Sequence, residues 1–342
     1  MRYLAKHRCF SILLVLVCWF MSTGAEASGL QRHHLTGFAQ GTSYAVTYFA
    51  DSECIGKASI DSVLAVLDSS MSLYKPYSLI NRVNRAERRV LINDPHFRQV
   101  FRRSEELYRQ SGGLFDITVA PLVALWGFGV EARDALPDDE AVADALECVG
   151  MDKVTLDDQY LVKEKPCIQL DMNGIAQGYS VDVLAGFLEG QGIQYYVVEL
   201  GGELRVKGPK PDGTPFRIGI ERPLVGEGGA TVIEDVIAIT TGALTTAGSY
   251  RKFVDDGDRR LSHHIDPRTG KPVTSSTISA TLYSTDAMTA DGYDNVIMAM
   301  PAKDALAFVE SLDELEVYIV YQDESGSLQE IMSTGFKQLM AN

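Results

Sequence analysis

IQLDMNGIAQGYSVDVLAGFLEGQGIQYYVVEL, residues 168–200, carries the pattern that decides the fold class. Residues 168–171 read as a strand, followed by a glycine turn around Asn173-Gly174. Val181, Leu184, Ala185 and Leu188 then recur at helical spacing on one face. Residues 195–199, rich in Tyr and Val, return to a strand. Around this unit the centre of the chain reads as further strands over 160–162, 204–207, 216–220 and 236–240. Gly208-Pro209-Lys210-Pro211-Asp212-Gly213 is a loop dense in turn formers between two of them. One helix among so many strands lacks the βαβ alternation of a doubly wound sheet, so the expected class is α+β.

The flanks add elements of both kinds. Residues 38–49, with Val46, Thr47 and Tyr48, read as one strand. Residues 60–67 and 97–108 have helical spacing, and the second helix should stop at Ser111-Gly112-Gly113. Pro137-Asp138-Asp139-Glu140 starts a helix with acids in its first turn, ending near Gly150. A helix over 302–312 and a strand over 317–321 follow near the C-terminus. No internal repeat or low-complexity tract is present.

The first 27 residues have the make-up of a secretory signal. Arg2, Lys6 and Arg8 precede an apolar run over 10–20, and Ala25-Glu26-Ala27 presents small residues where a signal peptidase reads. The run is shorter than the roughly 20 apolar residues of a membrane span. The expectation is cleavage after Ala27, with residues 28–342 soluble in the periplasm or elsewhere outside the cytoplasm. A retained anchor, with membrane association, is the alternative. Val17 before Cys18 sets aside a lipoprotein signal.

Cys54, Cys148 and Cys167 remain after cleavage. Three widely spaced cysteines are not a disulfide framework, and three buried thiols is the favoured reading over a Cys148–Cys167 bridge. The formal charge is −15, which argues against nucleic acid or an anionic membrane surface as a partner. A phosphate site on such a chain must be built locally, from backbone N–H groups, a metal or a few basic side chains.

Four polar or glycine-rich clusters interrupt the apolar pattern. Residues 71–82, with Tyr74 and Ser78, read as a loop, either solvated or ligand-facing. Residues 111–118 lead to Leu125-Trp126-Gly127-Phe128-Gly129; the glycines permit close approach and the aromatics could flank a planar ring, or the stretch is a helix cap followed by core aromatics. Residues 171–179 place a glycine turn before a helix, an anion site or an ordinary strand-to-helix turn, and match neither common nucleotide-binding glycine motif. The fourth spans Thr245 to Arg251, 262–272 and 287–295. His263 could move a proton or be a core histidine. Asp291, Asp294 and Asn295 carry the oxygen donors magnesium prefers, and Asp291 and Asn295 share a face if helical; helix capping is the alternative.

In their order and spacing these clusters resemble the ApbE family of FAD:protein FMN transferases. The stretches that carry the resemblance are GGLFDITVAPLVALWGFG (112–129), DMNGIAQGYSVD (171–182), ELGGELRVKG (199–208), TTAGSYRK (245–252) and HHIDPRTGKPV (263–273), with the Tyr74 loop before them. The resemblance implies an α+β, T-fold-like architecture of mixed sheets and packed helices, with one FAD in a cleft between subregions. It implies FAD contacts from Gln40, Tyr74, Leu114, Phe115, Asp116, Asp171, Gln177, Thr246 and Ile265. It also implies magnesium held by Asp291, Asn295 and the backbone oxygen of Gly174, with Asp294 nearby. The chain departs from the family at two positions: Asn295 stands where the family often has Thr, and Gln177 where it often has Lys.

The implied activity is transfer of FMN from FAD to a Ser or Thr hydroxyl of an acceptor flavoprotein subunit in an extracytoplasmic redox system, with AMP released. Magnesium would screen the diphosphate and the charge developing at phosphorus. His263 and the carboxylates of Asp291 and Asp294 are the candidates to take the hydroxyl proton. Two other readings share the site: FAD hydrolysis with water as acceptor, and FAD binding without catalysis.

Overall fold

The structure, a computed structural model, describes residues 29–130, 136–223, 231–248, 253–256 and 259–340. The signal assigned to residues 1–27 lies outside the described residues, as do Ser249, Tyr250 and Arg251 of the fourth cluster and Lys252, which ends the TTAGSYRK stretch.

The chain opens with the hairpin β1 (Gln31–Ala39) and β2 (Thr42–Ala50), then α1 (Lys57–Met71), α2 (Leu79–Arg85), β3 (Arg89–Leu91), α3 (Pro95–Gln110), α4 (Ala120–Leu125) and α5 (Asp139–Leu146). Two short strands, β4 (Val154–Leu156) and β5 (Tyr160–Lys163), precede α6 (Ala176–Gly190). Next come β6 (Tyr196–Leu200), β7 (Glu203–Lys207), β8 (Phe216–Pro223), β9 (Thr231–Ile239), β10 (Thr241–Gly248), β11 (Phe253–Asp256), β12 (Arg259–Ser262), β13 (Ile265–Asp266), β14 (Lys271–Pro272) and β15 (Thr277–Ser284). The chain finishes with α7 (Ala287–Ala299), α8 (Ala302–Val309), β16 (Leu315–Gln322), β17 (Leu328–Met332) and α9 (Thr334–Met340).

Eight strands form the main sheet in the order β1-β2-β6-β7-β10-β15-β16-β17, and each neighbouring pair is antiparallel. The period of two along each strand sends alternate side chains to opposite faces. Val198, Ala243, Val317 and Ile319 join a large core beneath α1, α3, α6 and α7. Val197, Leu244, Tyr318 and Val320 join a smaller core with Phe216, Ile237 and Phe336, from β8, β9 and α9. On α6, the fully buried Val181, Leu184 and Leu188 are the predicted apolar face. Each such burial stabilises the fold by about 1.5–3 kcal/mol.

Four sequence expectations are corrected. Residues 38–49 are not one strand, because Gln40 (φ 52°) and Gly41 (φ 79°) turn the chain between β1 and β2. Two successive positive φ values make the tight hairpin turn that matches strand twist, and Gln-Gly lacks the usual Asn-Gly signal. Residues 168–171 are not a strand; they are extended, with a single bridge from Gln169 to Val119. The loop read over 71–82 becomes helical from Leu79, because the Ser78 hydroxyl accepts from the Asn81 amide and caps α2. Cys148 and Cys167 are not thiols but a disulfide with Cα atoms 5.5 Å apart, and Cys54 is exposed rather than buried. The bridge ties the turn after α5 to the segment leading into Asp171.

Candidate active site

α6 and α7 pack side by side against the main sheet, and the first turn of α6 with Asp291, Asp294 and Asn295 in the middle of α7 forms the floor of a cleft of about 580 Å³. Around this floor stand the β1–β2 turn, the segment after α3, the β6–β7 turn, the end of β10 and the β13 segment. The cleft brings together every residue singled out from sequence: Gln40, Tyr74, Leu114, Phe115, Asp116, Asp171, Gly174, Gln177, Thr246, His263, Ile265, Asp291, Asp294 and Asn295. It also contains Glu203 and His264, which sequence reasoning did not single out. Glu203 opens β7 and His264 lies between β12 and β13, at the ends of short strands where periodicity says nothing about which side chains converge.

The close approach of the two helices depends on Gly178. A Cβ there would lie 2.2 Å from the Ala287 carbonyl oxygen and 2.6 Å from the Asp291 Cβ. With glycine, the Gly178 amide donates to Asp291 Oδ2 at 2.7 Å. This is one of the amides left without an intrahelical partner at the start of α6, whose own preceding residue, Ile175, offers no side-chain cap. Asp291 therefore does cap a helix, but a helix distant in sequence. Burial pushes its carboxyl up to about 7, helped by the nearby Asp182 charge and opposed by the amides.

Gln177 is also held from across the cleft. Its amide nitrogen donates to the Leu200 carbonyl at 2.9 Å and to Glu203 Oε2 at 2.5 Å. Gly201 (φ 68°) makes room, since a Cβ there would lie 1.9 Å from that nitrogen. Burial pushes Glu203 up to about 8, and the charges of Asp291 and Glu199 add to the shift. Asp294 is raised well above the carboxylate range by burial and by Asp291 and Glu203. Three carboxyl groups thus share one poorly solvated region, each resisting ionisation while the others are charged.

Asn295, one turn beyond Asp291 on α7, bridges two groups. Its amide nitrogen donates to Asp294 Oδ1 at 2.7 Å, and its oxygen lies 3.0 Å from His264 Nδ1. His264 is buried, and desolvation together with the neighbouring His263 lowers its pKa to about 3, so the imidazole is neutral. The half-buried His263 ring lies tilted against it at 4.0 Å between centroids, with Phe128 edge-on to His263 at 6.4 Å.

The walls are held by specific bonds. Asp116 is buried, with Oδ1 accepting from the Thr118 amide and hydroxyl at 2.7 and 2.5 Å and Oδ2 from the Met151 amide at 3.0 Å. Its carboxylate anchors the wall, leaving the flanking Leu114 and Phe115 to shape the surface. Asp171 is half-buried; its Oδ1 accepts from Asn173 at 2.8 Å and burial raises its pKa. Gln40 donates to the Ser180 hydroxyl at 2.9 Å. Tyr74 stands 66% exposed at the mouth, an aromatic face free to cover a ring. Asn81 holds its loop by donating to the carbonyls of Leu73 and Lys75 at 2.9 Å each. Thr246 pairs with Thr281 at 3.0 Å, and Trp126 donates to the Gly270 carbonyl at 2.7 Å, docking the segment with Phe128 onto the loop after Ile265.

The donor set suits a hard cation. Asp291, Asp294, Asn295 and the Gly174 backbone supply oxygens, and a Cβ on Gly174 would fall 2.8 Å from the Asn295 amide nitrogen. No Lys or Arg is among the described residues lining the cleft, so no basic side chain there offsets the raised carboxyls. Among the described residues no three His, Cys, Asp or Glu side chains already form a metal-holding group. The expected ligands would need only two carboxylates, with an amide and a carbonyl completing them.

The ApbE family model matches residues 40–319, which includes every one of these site residues. The chain belongs to the ApbE family. Relatives of this ApbE-family chain include the FAD:protein FMN transferase of Vibrio cholerae, 33% identical over 96% of this chain and 98% of that protein. The FAD:protein FMN transferase of Haemophilus influenzae is 33% identical over 95% of this chain and 96% of its own length. Among solved structures, the flavin transferase ApbE from Vibrio cholerae superposes with a TM-score of 0.81 at 33% identity, covering 91% of this chain and 99% of that one. The apo flavinyl transferase ApbE of Pseudomonas stutzeri also gives 0.81, at 29% identity, covering 92% and 98%. These likenesses agree with the α+β architecture.

Proposed function

We propose that this chain is an FAD:protein FMN transferase that moves the FMN half of FAD onto a Ser or Thr hydroxyl of an acceptor protein and releases AMP. The observation that carries the reading is the convergence, in one cleft, of residues from seven separate segments that the family resemblance assigns to flavin and magnesium. Phe115 and Tyr74 offer apolar and aromatic surface to a planar ring. The Asn173–Gly174 turn lines the cleft at the start of α6, where an anionic diphosphate can approach. Asp291, Asp294, Asn295 and the Gly174 carbonyl would hold magnesium. When bound, the metal would offset the diphosphate charge and the negative charge developing at phosphorus.

The acceptor hydroxyl attacks the FMN phosphorus, the bond from that phosphorus to the bridging oxygen breaks, and AMP takes the electron pair. The hydroxyl proton must pass to a base. His263 is suited to this, being half-buried at the cleft surface, whereas His264 is buried and Asp291 is engaged by Gly178. Residues 1–27 act as an export signal in this reading, leaving 28–342 as the transferase domain outside the cytoplasm, where the acceptor belongs to a redox system. The Cys148–Cys167 bridge supports an oxidising compartment. Among the described residues no helix is long and apolar enough to cross a membrane.

The test is incubation with FAD, magnesium and an acceptor bearing a Ser/Thr flavinylation sequence. A covalent, fluorescent FMN–protein adduct with one AMP released per adduct is expected. AMP release that no acceptor accelerates would make the chain an FAD hydrolase, and intact FAD would make it a binding protein.

A further inference from the structure

Asn295 has its amide turned the wrong way for a cation. The nitrogen faces Asp294 at 2.7 Å and the Gly174 backbone, while the oxygen faces His264 Nδ1 at 3.0 Å. A hard cation takes oxygen, and an amide nitrogen carrying two hydrogens cannot ligate it. Half a turn of the amide plane would exchange the two atoms with little movement of anything else. His264 must permit that turn, because it is the partner on the other side.

The imidazole is suited to do so. An amide oxygen only accepts, so in this structure Nδ1 carries the hydrogen. His264 is 7% exposed, and its Nε2 has no hydrogen-bond partner among the described residues. A neutral imidazole has one hydrogen to place on either nitrogen. With the hydrogen on Nε2, Nδ1 becomes an acceptor for the turned Asn295 amide, and no existing bond to Nε2 is broken. The ring's charge is the same in both forms. The need for such a partner follows from Asn295 itself. A Thr hydroxyl, which donates and accepts by rotation, would need none.

We propose that His264 is a positioning residue for the cation site: by exchanging which ring nitrogen carries its hydrogen, it lets Asn295 turn its amide oxygen toward Asp294 and Gly174. The inference rests on the magnesium reading above. It assigns His264 an orienting role one step removed from the ligands.

Nitrogen-15 NMR of histidine-labelled full-length protein tests it, with and without saturating magnesium and without FAD. The His264 signals, identified by their loss in His264→Gln, should report Nδ1–H without the cation and Nε2–H with it. Titration with manganese alone, again without FAD, is the second readout. His264→Leu should weaken manganese at least tenfold, and His264→Gln, which can donate or accept, should stay within threefold of wild type. In the Asn295→Thr background, His264→Leu should change affinity less than threefold. An unchanged tautomer in a wild-type protein that binds the cation overturns the proposal alone, and so does a His264→Leu affinity within twofold of wild type. Wild-type protein that takes up no manganese overturns the metal reading, and this proposal with it. The NMR measurement on wild type decides even if His264→Leu fails to fold.

Discussion

Asp182 and Asp291 cap each other's helices. Asp182, on α6, accepts from the Ala287 and Met288 amides at 3.0 and 2.8 Å in the first turn of α7. Asp291, on α7, accepts from the Gly178 amide at 2.7 Å in the first turn of α6. Burial raises both carboxyls, but Arg205 pairs with Asp182 at 2.7 Å, while Asp291 has no ion-pair partner among the described residues. One member of the exchange is therefore neutralised by the fold, and the other is left suited to a cation.

This division separates folding from catalysis at Asp291. Asp291→Asn keeps an oxygen for the Gly178 amide and removes the charge. At pH 8 it should melt at or above the wild-type temperature, retain FAD binding by fluorescence quenching, and lose at least a hundredfold in magnesium-dependent transfer. Asp291→Ala also loses the cap, at a cost of about 1 kcal/mol in a urea titration. Wild-type turnover in Asp291→Asn would return this residue to a purely structural role.

The raised carboxyls set the sign of the pH dependence. Glu203 ordinarily titrates near 4.5 and is pushed up to about 8 in the fold, so the folded chain holds a proton that the unfolded chain has released. Asp291, pushed to about 7 from 3.8, acts in the same direction. Their contribution to stability is present below the unfolded values and is lost as pH rises through the folded ones. Without metal, the urea midpoint should fall between pH 5 and 8. Glu203→Gln should flatten that decline, and magnesium should raise the midpoint more at pH 8 than at pH 5. An equally steep decline in Glu203→Gln would show that other groups cause it.

Two glycines in the same helix should respond oppositely to alanine. At Gly178 a Cβ meets the Ala287 carbonyl at 2.2 Å, and backbone cannot swing aside. Gly178→Ala should cost about 1–3 kcal/mol and disturb Asp291, lowering transfer. At Gly186 nothing lies within 4 Å, so Gly186→Ala should stabilise by about 0.5–1 kcal/mol through helix propensity, with activity unchanged. Equal effects in paired urea titrations would contradict the helix contact described here.

The disulfide closes a loop of 19 residues by sequence separation. Chain entropy assigns such a cross-link about 3 kcal/mol. The double substitution Cys148→Ser, Cys167→Ser should lower unfolding free energy by roughly that amount. Thiol titration of the exported form should find Cys54 alone without reductant. A reagent count of three would return the chain to the free-thiol reading.

Much of the fold is written locally. The Tyr- and Val-rich stretch at 195–199 became β6, the apolar stripe Val181-Leu184-Ala185-Leu188 became the buried face of α6, and the loop at 208–213 lies between β7 and β8. Local signals failed where a single residue's conformation or a distant partner decided. Gln40 takes a positive φ that its residue type does not advertise, so two strands read as one. Residues 168–171 have strand composition but only one bridge, because the main sheet is filled by other strands. The Cys148–Cys167 pairing depends on a Cα separation that no spacing reveals.

The sequence by itself determined the α+β class, the order of the glycine-rich and acidic clusters, and the face of α7 on which Asp291 and Asn295 stand. Those features arise from short-range periodicity, turn chemistry and residue type. Only the tertiary structure decided that Glu203 and His264 join the cleft, that Asp291 caps α6 rather than α7, and that Asn295 presents its nitrogen to Asp294. These depend on contacts between residues far apart in the chain. There burial raises carboxyl pKa values and a missing Cβ sets helix separation.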